Sequence, residues 1–179
     1  AGGDGVAVYG QRVHAIAEAF IDWAVHQSNW KTAAKLDGAD GIYDKLQDLG
    51  GHYFITKLAN YGKLDEAIRF CENLERLSEH FDQQRQACQE FRTWGDIYLG
   101  QEYSISHVKL SSSTAGGCVD VSGIIDSLRL RADKHVEIVD YKLTSGKSAD
   151  YELVQLAVYH RLLTTAHPKM KVTGCLEYL

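Results

Sequence analysis

No run in this chain approaches the roughly eighteen consecutive apolar residues that a membrane-spanning helix requires. A helical membrane anchor is excluded, and no membrane partner is expected. The opening residues Ala1-Gly2-Gly3-Asp4-Gly5 supply neither the basic stretch nor the apolar stretch of a secretory signal. No methionine begins the chain, which fits a trimmed or processed product or a piece of a larger protein. Cysteine occurs four times, at Cys71, Cys88, Cys118 and Cys175, and never as a C-x-x-C pair. Intervals of 17, 30 and 57 residues match no zinc or iron–sulfur spacing. Free thiols in a reducing, cytoplasmic compartment are therefore expected. Basic charge is not in excess: 19 Lys and Arg against 24 Asp and Glu leave a net charge of −5. That argues against a protein that simply coats DNA. It does not exclude a nucleic-acid enzyme, whose carboxylates hold cations and whose basic residues need line only one groove; Lys109, Arg129, Arg131, Lys134, Lys142 and Lys147 all fall in the strand region, most of them expected on the surface. Internal repeats and low-complexity tracts are also absent.

What is present describes a globular chain. At 179 residues, with 45% hydrophobic and 24% charged residues, it reads as one domain over 1–179 with a sizeable core. Gln11 to Gln27 is helical and apolar on most sides, with His14, Glu18, Asp22 and His26 recurring every four residues as one polar stripe. Asp22 and His26 read as its solvent side, whereas His14 and Glu18 lie nearer the helix start and could reach a site there. Amphipathic patterns over Gly41–Leu49, Tyr53–Asn60 and Leu64–Trp94, broken at Gly50-Gly51 and Gly62, predict an inserted helical subdomain over 31–98. Its aromatics, among them Tyr53, Tyr61, Phe70, Phe81, Phe91 and Trp94, are expected mostly in the core, with a base-stacking role open to one or two of them.

After Gly95 the pattern turns to strands: Tyr98 to Leu110, Cys118 to Arg131, and His135 to Leu143. A helix from Asp150 to Ala166, with Leu153, Leu156, Ala157 and His160/Leu163 spaced for one buried face and ended by the single proline Pro168, leads into a last strand from Val172. Helices, a three-stranded meander, a helix and a strand make an α/β core with added helices, not a doubly wound sheet. Alternation puts Val136, Ile138, Asp140 and Lys142 on one face of their strand. It puts Asp120, Ile124, Asp126 and Leu128 together on the preceding one. Paired antiparallel through the turn 131–134, the two strands bring Asp126 towards Asp140. An apolar face ending in a carboxylate and an ammonium is costly as core, but it suits a metal beside a phosphate.

Gly10-Gln11-Arg12-Val13-His14, Gly123-Ile124-Ile125-Asp126, Asp140-Tyr141-Lys142 and Gln155-Leu156-Ala157-Val158-Tyr159 stand in this order. Together they resemble the four motifs of RecB-type nucleases of the PD-(D/E)XK superfamily, over residues 9–27 and 98–179. The resemblance implies a restriction-endonuclease-like core, a central mixed β-sheet flanked by helices, with the helical block inserted. It implies a divalent-metal-dependent DNA nuclease, an exonuclease in repair, recombination or CRISPR and phage processing. DNA single strands or ends would be its substrate, and a helicase or another recombination or CRISPR protein its partner. Asp126, Asp140 and Lys142 would be catalytic. His14, Asp126, Asp140 and the Tyr141 carbonyl would hold Mg²⁺ or Mn²⁺, hard cations suited to oxygen donors. Gln155 and Tyr159, four apart on a helix, would position DNA or support Lys142, and Glu18 and Glu102 would stand behind the ligands. Similar CRISPR-associated and helicase-attached nucleases often carry a four-cysteine iron–sulfur cluster. Here the C-terminal cysteine trio is missing, so no such cluster is expected. The competing reading is a catalytically silent DNA- or protein-binding module of the same fold. A third is a metal-dependent phosphoesterase for nucleotides or RNA.

Overall fold

The computed structural model describes residues 3–88, 93–111, 116–131, 133–142 and 149–178. Expectations that involve Ala1, Gly2, Phe91, residues 112–115, Ala132, Leu143, Lys147 or Leu179 lie outside the described residues. The chain divides into two compact units, Ala1–Asp96 with Leu179, and Ile97–Tyr178.

The first unit is helical: α1 (Gly3–Val25), α2 (Trp30–Ala33), α3 (Gly38–Leu46), a single π turn (Gln47–Gly51), α4 (His52–Asn60) and α5 (Leu64–Ala87). The short α6 (Trp94–Ile97) crosses the boundary between the units. Along α1, Val13, Ile16, Ala17, Phe20, Ile21 and Ala24 are buried at helical spacing. Asp22 and His26 are exposed, while His14 and Glu18 are half-buried. Gly50 and Gly62 break the helical run where the sequence predicts, with φ of 132° and 72°, angles that a β-carbon disfavours. The core is aromatic. Phe20 stacks on Phe81 with centroids 4.7 Å apart and meets Trp94 edge-on at 5.3 Å. The Trp94 indole N–H donates to the Ala33 carbonyl at 3.3 Å, which satisfies its polar atom on burial. Helix α5 buries Ala67, Phe70, Leu74, Leu77 and Phe81 and turns Glu75, Arg76 and Glu79 to solvent. Asp65 and Glu66 occupy its first turn, where the helix dipole favours acids. Two expected core aromatics depart from the pattern: Tyr53 and Tyr61 are 71% and 72% exposed.

The second unit holds β1 (Tyr98–Ser111), β2 (Cys118–Leu130), β3 (Val136–Lys142), α7 (Ala149–Ala166) and β4 (Val172–Tyr178). The four strands lie in the order β1-β2-β3-β4. Pairing is antiparallel for β1 with β2 and β2 with β3, and parallel for β3 with β4. This is the mixed open α/β sheet that the sequence predicts. Strand β3 lies between two partners and is buried from Val136 to Tyr141, as fits an unbroken V-E-I-V run. Helix α7 packs Leu162 and Leu163, both fully buried, against Ile105, Val108, Ile125, Leu128, Val136 and Ile138.

Two details differ from the sequence reading. Leu153, expected on the buried face of α7, is 55% exposed. The helix turns Leu156, Tyr159, Leu162 and Leu163 to the sheet instead. Glycines on the strands set this rotation. A β-carbon on Gly174 would lie 2.7 Å from Leu156 Cγ, and one on Gly123 would lie 3.0 Å from Tyr159 Cε1. Only missing side chains leave seats for Leu156 and Tyr159. The second departure is in β2. Val121 and Ile125 join the core against α7, but so do Leu128 and Leu130, so the alternation slips by one residue between Ile125 and Leu128. Ile124, expected on the buried face, is exposed. Asp126 lies in the slip.

Candidate active site

Strand β3 positions two of the expected residues. Asp140 is 3% exposed, and Lys142, two residues on and so on the same face, places its ammonium 2.6 Å from Asp140 Oδ2. The contact is a close ion pair without an aligned hydrogen bond at Oδ2. Strand β2 supplies the third. Ser127 and Leu128 pair with Val139 and Ile138, so Asp126 stands one step beyond, beside Asp140. Its Oδ2 accepts the backbone N–H of Tyr141 at 3.1 Å, and its carboxyl lies within hydrogen-bond reach of Asp140. The meeting of the two acids at the end of the hairpin is therefore present.

Burial foremost, and the adjacent Asp140 carboxylate after it, push the Asp126 carboxyl up to about 7. The Tyr141 N–H and the Lys142 charge oppose that rise. Two half-desolvated acids this close repel one another when both are ionised. A divalent cation between them would remove that repulsion, and it would give the poorly satisfied Asp140 Oδ2 a partner. Two carboxylates and a backbone carbonyl are the hard oxygen donors that Mg²⁺ accepts while it keeps several waters. The donor set fits such a cation. Among the described residues, no group of three or more His, Cys, Asp or Glu side chains is arranged to hold a metal.

Helix α7 completes the cluster. Lys142 Nζ donates to Gln155 Oε1 at 3.3 Å, and Gln155 Nε2 donates to the Tyr159 hydroxyl at 3.0 Å. Gln155 and Tyr159 thus hold the lysine from the helix side, one turn apart as the sequence predicts. Sequence reasoning took Gly123 only as part of a motif; its packing role is to admit the Tyr159 ring.

Tyr141, Glu102, His14 and Glu18 are each placed by their own element. Tyr141 is buried, with its side chain on the opposite face from Asp140. Glu102 lies on β1 between Gln101 and Tyr103, which face Ser127 and Ile125, but it is exposed and has a φ of 45°. His14 and Glu18 belong to the first unit. Arg129, expected on the surface, is instead buried and bonded to Glu137 at 2.6 Å, with Arg131 at 3.0 Å from the same carboxylate. Residues 129 and 137 pair across the strands on the face opposite Asp140, so this buried pair is separate from the acidic cluster.

A mixed sheet that presents two acids and a lysine on adjacent strands, braced by a crossing helix, is the frame of a phosphodiesterase centre. The family model of the PD-(D/E)XK nuclease superfamily matches residues 3–178, and the chain belongs to that superfamily. Its members typically use divalent metals such as Mg²⁺. A search of curated proteins gives no match. Among the described residues no helix is long and apolar enough to cross a membrane.

Proposed function

We propose that the chain is a divalent-metal-dependent deoxyribonuclease of RecB-like type that acts as an exonuclease on DNA ends, in repair, recombination or CRISPR and phage processing. The observation that carries this reading is the convergence of Asp126, Asp140 and Lys142 at the end of the β2–β3 hairpin, with Gln155 and Tyr159 behind the lysine. Asp126, Asp140 and the Tyr141 carbonyl would hold Mg²⁺ or Mn²⁺. The motif around His14 proposes that imidazole as a further ligand, and Glu18 and Glu102 as supporting acids. The bound cation would neutralise charge on the phosphate and acidify a water molecule. Lys142, oriented by Asp140 and Gln155, would place its ammonium against the attacking water or a phosphate oxygen and stabilise the charge that grows there. Burial of Asp140 keeps bulk water from screening that field.

End-labelled linear and circular DNA, single- and double-stranded, incubated with Mn²⁺, Mg²⁺ or EDTA beside Lys142→Ala tests the reading. Metal-dependent loss of linear substrate alone, abolished by the substitution, supports the exonuclease. Cleavage of circles makes it an endonuclease. Absence of cleavage with every metal, with DNA binding kept in both proteins, makes the fold a silent binding module.

A further inference from the structure

Two exposed tyrosines of the first unit stand together. Tyr53 is the second residue of α4 and Tyr61 follows its last residue, and both line a cleft of about 280 Å³ with Thr56, Lys57 and Asn60. Among the described residues none of these five side chains has a hydrogen bond or ion pair to another group. Exposed aromatic rings that flank one cleft, unlike apolar residues scattered singly, point to a contact made there.

Charge points the same way. Lys57 is the charged side chain that lines this cleft and no acidic residue lines it, in a chain whose net charge is −5, while neighbouring Lys63 is paired with Glu66 at 3.2 Å. The larger cleft of the first unit, about 690 Å³ beside the π turn, is lined by Asp44 and Asp48 and is of the wrong sign for a polyanion. From these observations we infer that Tyr53, Lys57, Asn60 and Tyr61 form a binding site for single-stranded DNA. The tyrosine rings stack on bases, Lys57 meets the phosphate between them, and Asn60 reads or steadies a base edge. Sequence-independent stacking beside a cationic groove is how single strands are held without base readout. This inference rests on the nuclease reading for its choice of ligand. It assigns the first unit a role in capturing substrate.

The test is binding of a fluorescein-labelled oligothymidine to the full chain in EDTA, followed by anisotropy, so that no cleavage intervenes. Tyr53→Ala and Tyr61→Ala are each expected to weaken binding about five- to 150-fold, the range for loss of one base–aromatic stack. Tyr53→Phe and Tyr61→Phe keep affinity, because the ring and not the hydroxyl does the stacking. Lys57→Ala lowers the slope of log affinity against log salt by about 0.7, one phosphate contact on a single strand. All three alanine positions are solvent-facing, so unchanged thermal melting accompanies these losses. Wild-type binding that ignores both tyrosines overturns the inference, as does absence of binding. The two readings fail separately. If Lys142→Ala abolishes cleavage while both tyrosine variants bind and cut as wild type, the nuclease reading stands and this site falls. If no metal supports cleavage yet binding depends on the tyrosines, the site stands and the nuclease reading falls.

Discussion

The backbone N–H of Tyr141 donates to Asp126 Oδ2 at 3.1 Å, so the β3 main chain itself holds the β2 carboxylate beside Asp140. The bond favours the ionised acid, yet burial and Asp140 outweigh it and lift Asp126 to about 7.

Stability of the metal-free protein should therefore depend on pH in a definite direction. An unfolded Asp titrates near 3.9, and folded Asp126 at about 7. Between these values the folded state keeps a proton that the unfolded state has lost, so stability falls as pH rises. Below about pH 4 both states are protonated and above about pH 7 both are ionised, so the curve is flat at each end. Urea midpoints measured in EDTA should decline across that window, and Asp126→Asn should flatten the decline.

Divalent metal should reverse this loss. Mg²⁺ or Mn²⁺ binding the folded state raises the melting temperature by mass action, and more at about pH 8 than at about pH 5, where a proton competes for Asp126. Asp140→Asn should abolish the metal-induced shift in a thermal melt.

Gln155 holds the lysine ammonium from α7. A hydrogen bond to a charged group contributes about 1.5–3 kcal/mol, so Gln155→Ala should lower kcat about ten- to 100-fold with little change in melting temperature. Tyr159→Phe, one bond further from the ammonium, should lose less. Single-turnover cleavage rates compare the two.

On the opposite face of β3, Glu137→Ala would leave the buried Arg129 guanidinium without its 2.6 Å partner. Breaking such a pair from one side costs roughly 3–5 kcal/mol, measurable by urea denaturation. Gly174→Ala should cost about 1–3 kcal/mol by overpacking, because the new methyl meets Leu156 Cγ at 2.7 Å.

Much of this architecture was legible in the sequence, for identifiable reasons. The strand from Val136 to Lys142 alternates cleanly, so the shared face of Asp140 and Lys142 follows from a two-residue period. Gln155 and Tyr159 follow from a helical one. The slip in β2 was not legible, because Gly123-Ile124-Ile125-Asp126 offers two adjacent isoleucines and the pattern cannot say which is buried. Ile125 is, and Ile124 is not. The rotation of α7 was hidden for a related reason. Its apolar residues are spread around the helix, and the choice among them is made by Gly123 and Gly174 on the sheet. Tyr53 and Tyr61 look like core aromatics in sequence; only the turn of α4 reveals that they face water.

The parallel pairing of β3 with β4 bears on the order of events during synthesis. Asp140 and Lys142 sit opposite Leu176 and Tyr178, residues that leave the ribosome only after all of α7. Until then β3 has an open edge and its hydrogen-bonding groups on that side are unpaired. A nascent chain thus exposes a strand that invites wrong partners, and its acids lack their final support. Competence to cut therefore waits until β4 has been made.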